Sequence, residues 1–288
     1  MARRYDTVTF LSDYGLADEF VGVVHCVVRD LAPHARVIDL THQIGRHDVR
    51  AGALALARAI QYVPTGVVLA VVDPGVGTDR RGIAVEVAGG EGVLVGPDNG
   101  LLAPAVAMAG GATRAVVLGR PEYILPAPGA TFAGRDVFAP AAAHLCNGVA
   151  LEDLGDEVDP ISLLPGIIPV AREEAGDLVT EVLWVDHFGN AQLNVGPDDV
   201  EGWGSRISLR LPHSTRTATR TSTFAELGPG AVGLVLDSYG LLAVSLNQRS
   251  AAEELGLAPG DAVRLVRLDD DAGEAAVVTP VALPLRRQ

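Results

Sequence analysis

With 288 residues the chain is long enough for one large domain or two ordinary ones, and 48% hydrophobic against 20% charged residues separates it from disordered sequences. A formal net charge of −14 excludes a protein that wraps a nucleic-acid backbone, so no nucleic-acid partner is expected. No apolar run reaches 18 residues, and Met1-Ala2-Arg3-Arg4 passes straight into a strand, which predicts no membrane span, no signal peptide and a cytoplasmic location.

Residues 7–11 read as a first strand, ending in the turn formers Ser12-Asp13-Tyr14-Gly15. A helix follows over 18–31, with apolar spacing at Val21, Val24, Val28 and Leu31 and a stop at Ala32-Pro33. A strand at 36–40 and a helix at 48–62 come next, then strands at 66–72, 82–87 and 92–95 and a helix at 101–108. This alternation predicts an α/β domain with a mostly parallel, Rossmann-like sheet and helices on both faces. A strand at 115–118 and a Pro-rich passage lead to 129–136, which opens a helix running to about residue 145; 154–175 reads as loop. Beyond it the texture changes to short strands at 178–185, 191–195, 207–211, 217–224, 231–236, 241–246 and 262–268, with one helical piece at 250–255. That pattern predicts an all-β, barrel-like domain. The expected division is an α/β domain over 1–165, a linker over 166–177 and a β-barrel domain over 178–288.

Cys26 and Cys146 both fall in apolar helical patterns and are expected as buried thiols rather than a disulfide. The seven histidines form no pair with metal-ligand spacing, His144 is expected in the core, and no metal site is expected.

The most informative stretch is Val71-Val72-Asp73-Pro74-Gly75-Val76-Gly77-Thr78-Asp79-Arg80-Arg81. Asp73 is the first polar residue as a buried strand ends, and Arg80 follows seven residues later across a tight turn. Ligands of open α/β sheets bind at the carboxyl ends of strands, and a guanidinium there can hold and aim a carboxylate. The same residues also suit a turn aspartate capping its own loop beside a solvated arginine. Gly75-Val76-Gly77 fails the dinucleotide fingerprint, because no glycine stands three after Gly77 and a strand follows. Polar clusters recur at strand ends: Ser12 and Asp13, Asp73, Asp98 and Asn99, Asp186 and Asn190, Asp237 and Ser238. Together they point to a polar pocket for a small molecule rich in hydroxyls and charge.

Six segments occur in order: Phe10-Leu11-Ser12-Asp13-Tyr14-Gly15 with Asp18, Val72-Asp73-Pro74-Gly75-Val76-Gly77 with Arg80, Gly96-Pro97-Asp98-Asn99-Gly100-Leu101-Leu102, Thr131-Phe132 with Gly134-Arg135-Asp136, Asp186-His187-Phe188-Gly189-Asn190, and Asp237-Ser238-Tyr239-Gly240. Together they resemble the S-adenosyl-L-methionine (SAM) hydroxide adenosyltransferases, relatives of the fluorinase and chlorinase enzymes. The resemblance implies an α/β domain followed by a β-barrel, and a homotrimer whose active sites lie at subunit interfaces. It implies SAM as substrate with no cofactor, and attack of water or hydroxide on C5′ to give adenosine and methionine. By the same resemblance Asp13 accepts from the ribose hydroxyls, Asp18 and Asp186 hold the methionine ammonium, Asn190 reads adenine, Phe188 lies near the base, and Ser238 and Tyr239 hold the methionine end. Asn99, Thr131, Phe132 and Gly134 are carried over as further substrate-binding positions. Tyr239 departs from the halogenases, which have Arg there.

Asp73 favours hydroxide over halide, since a carboxylate repels a halide and can take a proton from water. At the position of the family histidine, which completes a set with Asp73 and Arg80, this chain has Ala133. Hydrolysis with two residues, supply of a third by another histidine such as His47, and a non-catalytic SAM or adenosine sensor all remain open; a halogenase is the weakest reading.

Overall fold

The computed structural model describes residues 4–268. It divides into two compact units that meet at Ile168 and Pro169.

The first unit is built from β1 (Thr7–Ser12), α1 (Phe20–Leu31), β2 (Arg36–Thr41), α2 (Val49–Ile60), β3 (Gly66–Val71), β4 (Gly82–Val87), β5 (Gly92–Pro97), α3 (Ala103–Met108), β6 (Ala112–Leu118), α4 (Ala139–Cys146) and β7 (Gly155–Val158). Its sheet has the order β2-β1-β3-β5-β4-β6-β7. The first four of these are parallel neighbours, whereas β4 is antiparallel to both β5 and β6, and β7 is antiparallel to β6. Five strands therefore share one direction and two oppose it, giving a mixed sheet whose central strands are parallel. The cause is local: only four residues separate β4 from β5, including Ala88, Gly89 and Gly90 at positive φ, and a crossover needs a dozen or more.

Helices cover both faces. Val8, Phe10, Val67, Leu69, Val71, Val93 and Val95 pack towards α1 and α4, while Leu11, Val68, Ala70, Val72 and Leu94 pack towards α2 and α3. β3 is buried at every residue, as a central parallel strand must be. In α1 the buried stripe is Val21, Val24 and Val28. Cys26 lies about 200° round the helix from Val24 and is exposed, so only Cys146 is the buried thiol expected, and both are free. His144 is half-buried rather than in the core, its ring edge-on to Tyr123 at 4.9 Å, and burial holds its pKa below the ordinary value. The helix expected to open within 129–136 begins as a wider turn, Gly134–Phe138, before α4. Pro140 has no N–H to offer the Asp136 carbonyl, which accepts from Leu125 N instead (2.8 Å).

The second unit comprises β8 (Arg172–Glu174), β9 (Asp177–Val185), β10 (Ala191–Leu193), β11 (Arg206–Arg210), β12 (Thr215–Thr221), β13 (Val232–Leu236), β14 (Leu242–Leu246), α5 (Ala251–Leu255) and β15 (Ala262–Arg267). The strands follow the order β10-β14-β13-β12-β11-β15-β9-β8, and β9 also pairs with β10, which closes a barrel of seven strands with β8 attached outside. All neighbours are antiparallel except β12 and β13. Val182, Leu193, Ile207, Leu209, Leu234, Val244, Val263 and Leu265 fill the interior. Within 166–177, expected as linker, β8 pairs with β9 and Asp177 already belongs to β9, because Ala175 and Gly176 turn the chain back at positive φ. Positions 269–288 of the expected barrel domain lie outside the described residues.

Candidate active site

The chemistry of the first unit collects at the carboxyl ends of its parallel strands. Asp73 follows β3, and the loop to β4 folds back through Gly77 (φ 81°). A Cβ on Gly75 would stand 3.3 Å from Arg80 Cβ, so the turn brings its own two ends together. Arg80 grips Asp73 with two hydrogen bonds, Nε to Oδ1 at 2.9 Å and a terminal guanidinium nitrogen to Oδ2. The Asp73 side chain is 6% exposed and that of Arg80 14%, so the pair is screened from water as a turn aspartate and a solvated arginine are not. Burial pushes the Asp73 carboxyl above its ordinary value, against the pull of Arg80, and Asp13 adds to the rise. Arg80 also lies 5.3 Å from the Phe138 ring centroid, which fixes the guanidinium plane.

Asp13, at the end of β1, donates its backbone N–H to Val71 O (3.3 Å) and accepts the His47 N–H on Oδ2 (2.9 Å). Behind it the buried Ser12 Oγ lies 2.8 Å from His42 Nδ1, and Gly15 N donates to His42 O (2.7 Å). A cleft of about 720 Å³ brings Asp13, Asp18, His47 and Asp73 onto one surface. Asp18 is exposed at its mouth. Ala133 lines a neighbouring cavity of about 490 Å³ with Arg80. Arg80, which grips Asp73, and Ala133 therefore border the same cavity.

Two carried-over positions have structural duties. Asn99 spends its amide on the backbone, Nδ2 to Val72 O (2.9 Å) and Oδ1 from Leu101 N (3.1 Å), and so ties the end of β5 to the strand that carries Asp73. Gly134 makes room for Tyr14: an added Cβ would lie 2.1 Å from the Tyr14 hydroxyl oxygen. Burial raises the Tyr14 pKa, with Asp13 and Asp73 adding to the rise, so this hydroxyl stays protonated. Phe132 packs against Tyr14 and Phe20 at 5.6 and 5.0 Å, and Thr131 is exposed beside it. Tyr14 belongs to a motif quoted above, yet its hydroxyl beside Gly134 depends on two segments 120 residues apart.

In the second unit one pocket of about 550 Å³ gathers Asp186, Phe188, Asn190, Ser238 and Tyr239 at one end of the barrel. Asp186 organises its turn by accepting from Phe188 N (2.9 Å), Asn190 N (2.8 Å) and Asn190 Nδ2 (2.8 Å). The Asn190 amide nitrogen is thereby committed to Asp186, and Phe188 stands 76% exposed at the rim. Asp237 repeats the device, accepting from Tyr239 N (2.8 Å) and Leu241 N (3.1 Å), with Gln192 Nε2 on its second oxygen. Trp184, Gln192 and Phe224 complete the walls and carry no motif that singles them out in the sequence.

An arginine-held carboxylate at a strand end, with a separate polar and aromatic pocket in a barrel, is the equipment of an enzyme acting on a small polar molecule. The chain belongs to the SAM hydroxide adenosyltransferase family, whose N-terminal domain matches residues 8–155 and whose C-terminal domain matches residues 180–264. It is 47% identical over 262 residues to an (R)-S-adenosyl-L-methionine hydrolase of Salinispora tropica, covering 90% of this chain and 97% of that protein. It is 45% identical to the protein of that name from Thermus thermophilus (90% and 99%), and 30% identical to a fluorinase of Nocardia brasiliensis (91% and 97%). A crystal structure of an uncharacterized conserved protein from Thermotoga maritima superposes with a TM-score of 0.82 at 32% identity, over 90% of this chain and all of that one. No described helix is long and apolar enough to cross a membrane.

Proposed function

We propose that this chain hydrolyses (R)-S-adenosyl-L-methionine at C5′, releasing adenosine and L-methionine. The observation that carries the reading is the buried Asp73–Arg80 pair in the cleft that also holds Asp13 and Asp18. Water oxygen forms a bond to C5′ as the C5′–S bond breaks. The bonding pair leaves on sulfur as neutral thioether, and the water proton passes to Asp73. A sulfonium needs no general acid, so the protein has only to dry and aim the nucleophile. The raised affinity of Asp73 for a proton suits it to this part, and Arg80 fixes the direction of its oxygens.

His47 N–H occupies one oxygen of Asp13 and leaves the other for the ribose hydroxyls. Asp18 and Asp186 attract the methionine ammonium, Asn190 Oδ1 accepts from the adenine amine, Phe188 stacks on the base, and Ser238 and Tyr239 hold the methionine end. Asn99, Thr131, Phe132 and Gly134 shape the cleft around Asp73 and Tyr14. His47, in the same cleft as Asp73, takes the place of the histidine absent at Ala133. SAM is the substrate and the scheme calls for no cofactor. The family resemblance supports assembly as a homotrimer, with substrate contacts drawn from both pockets. The names of the relatives support the (R) epimer at sulfur.

Incubation with each sulfonium epimer, with and without chloride, followed by product chromatography, tests the reading. Adenosine and methionine in equal amounts are expected from (R)-SAM, independent of chloride. A 5′-chloro product, or unchanged (R)-SAM, refutes it. The second outcome would favour a non-catalytic SAM sensor, the reading to which Ala133 lends weight.

A further inference from the structure

We propose that His25, Asp39 and His42 form a binding site for one divalent transition-metal ion, beneath the turn that carries Asp13. The three side chains come from α1, β2 and the residue after β2, and one ligand atom of each lies within 4.8 Å of the others. His25 Nε2 stands 2.9 Å and His42 Nε2 3.0 Å from Asp39 Oδ1. Donors about 2.1 Å from a metal lie roughly 3.0 Å apart at right angles and roughly 3.4 Å apart at tetrahedral angles. The two spacings therefore match adjacent six-coordinate positions and need to open by a few tenths of an ångström around a tetrahedral ion. Two imidazoles and a carboxylate are the donor set of zinc and the neighbouring first-row ions.

His42 makes the independent argument. Its side chain is 3% exposed, and its Nε2 forms no hydrogen bond: Asp39 Oδ1 is near enough but off the line of a ring N–H. Its other nitrogen is held by the buried Ser12 Oγ at 2.8 Å, and that oxygen also accepts Tyr14 N–H (3.3 Å). When Nδ1 carries the proton and donates to Ser12, Nε2 turns a bare lone pair towards a carboxylate oxygen. A cation shared by the two removes that repulsion and makes Ser12 the outer partner that fixes the tautomer. Phe10 backs both imidazoles, with ring centroids at 6.3 Å from His25 and 4.6 Å from His42, which orients them. His25 also borders a solvent-open cleft, which gives an ion a path in. An ion here would brace the segment from Ser12 to Gly15 through His42, whose carbonyl accepts Gly15 N–H.

The test uses the full-length protein stripped with a chelator and titrated with Zn²⁺ or Co²⁺ by calorimetry, with thermal unfolding followed in parallel. One ion per chain and a raised Tm are expected. His25→Gln, at a partly exposed position that the fold can spare, should weaken uptake by about 10²-fold or more and abolish the Tm rise. His213→Gln, at an exposed position outside the cluster, should change neither. An anomalous peak at the zinc edge should lie beside the His25 and His42 rings. Failure of the folded wild-type protein to take up either ion, equal uptake by His25→Gln, or a peak elsewhere overturns the site.

Discussion

The sequence placed Asp73 and Arg80 in one loop but suited a turn aspartate beside a solvated arginine equally well; the burial of both side chains decides for the pair. The fate of Asn99 was not legible there, since its amide is consumed by Val72 O and Leu101 N, partners set by how two strands align. Asp73→Asn keeps the shape and removes the base, so kcat should fall by about 10²–10⁴-fold with SAM affinity largely kept, as single-turnover kinetics and calorimetry would show. The base works ionised, and burial raises its pKa. Hydrolysis should therefore be full above that raised value and decline as pH falls through it, and the same acid limb should be missing from any residual activity of Asp73→Asn. Ala133 shares a cavity with Arg80, and an imidazole there would both hydrogen-bond and accept a proton. Ala133→His should raise the single-turnover rate about 10²-fold at unchanged affinity; an equal or lower rate would leave the proton path with His47.

At the scale of elements, alternating strands and helices revealed the covered sheet but concealed the reversal of β4. The His25, Asp39 and His42 cluster was equally hidden, since separations of 14 and 3 residues on different elements match no spacing rule. Only the parallel pairing of β1 with β2, with α1 laid across them, brings the three together. The turn 186–190 shows how tightly an element can depend on one position. Gly189 has φ 84°, and a Cβ there would lie 2.1 Å from Ser250 Oγ and 2.7 Å from Ser250 Cα, at the cap of α5. Gly189→Ala should lower stability by about 1–3 kcal/mol in denaturant unfolding and loosen the pocket with it, whereas Gly202→Ala, with nothing within 4 Å, should show only the cost of its backbone angle.

Across the whole molecule, the change from an alternating to an all-strand texture marks two units, the first with a core on each face of its sheet and the second with a single core inside its barrel. Residues 169–288 expressed alone should therefore fold and unfold cooperatively by circular dichroism, because a closed barrel leaves little edge unpaired. The fragment 1–168 should also fold, yet bind SAM about 10²-fold or more weakly in calorimetry, having lost Phe188, Asn190 and Ser238. Full affinity in that fragment would refute a role for the barrel pocket in SAM binding.

The barrel has an odd number of strands, and an odd ring cannot alternate up and down all the way round. Somewhere two neighbours must point the same way, and the parity defect falls at β12 and β13. Hairpins serve every other sequential pair of neighbours, but here the chain must leave the top of β12 and re-enter at the bottom of β13. Residues 222–231 make that journey, and their first three, Ser222, Thr223 and Phe224, form one wall of the pocket. A five-residue strand spans roughly 17 Å, and ten extended residues reach about 33 Å, so this connection covers the return with chain left over to fold into a short turn of helix at Phe224–Glu226. The wall of the pocket is thus supplied by the connection that an odd strand count obliges to run the length of the barrel, and Phe224 sits in that obligatory path.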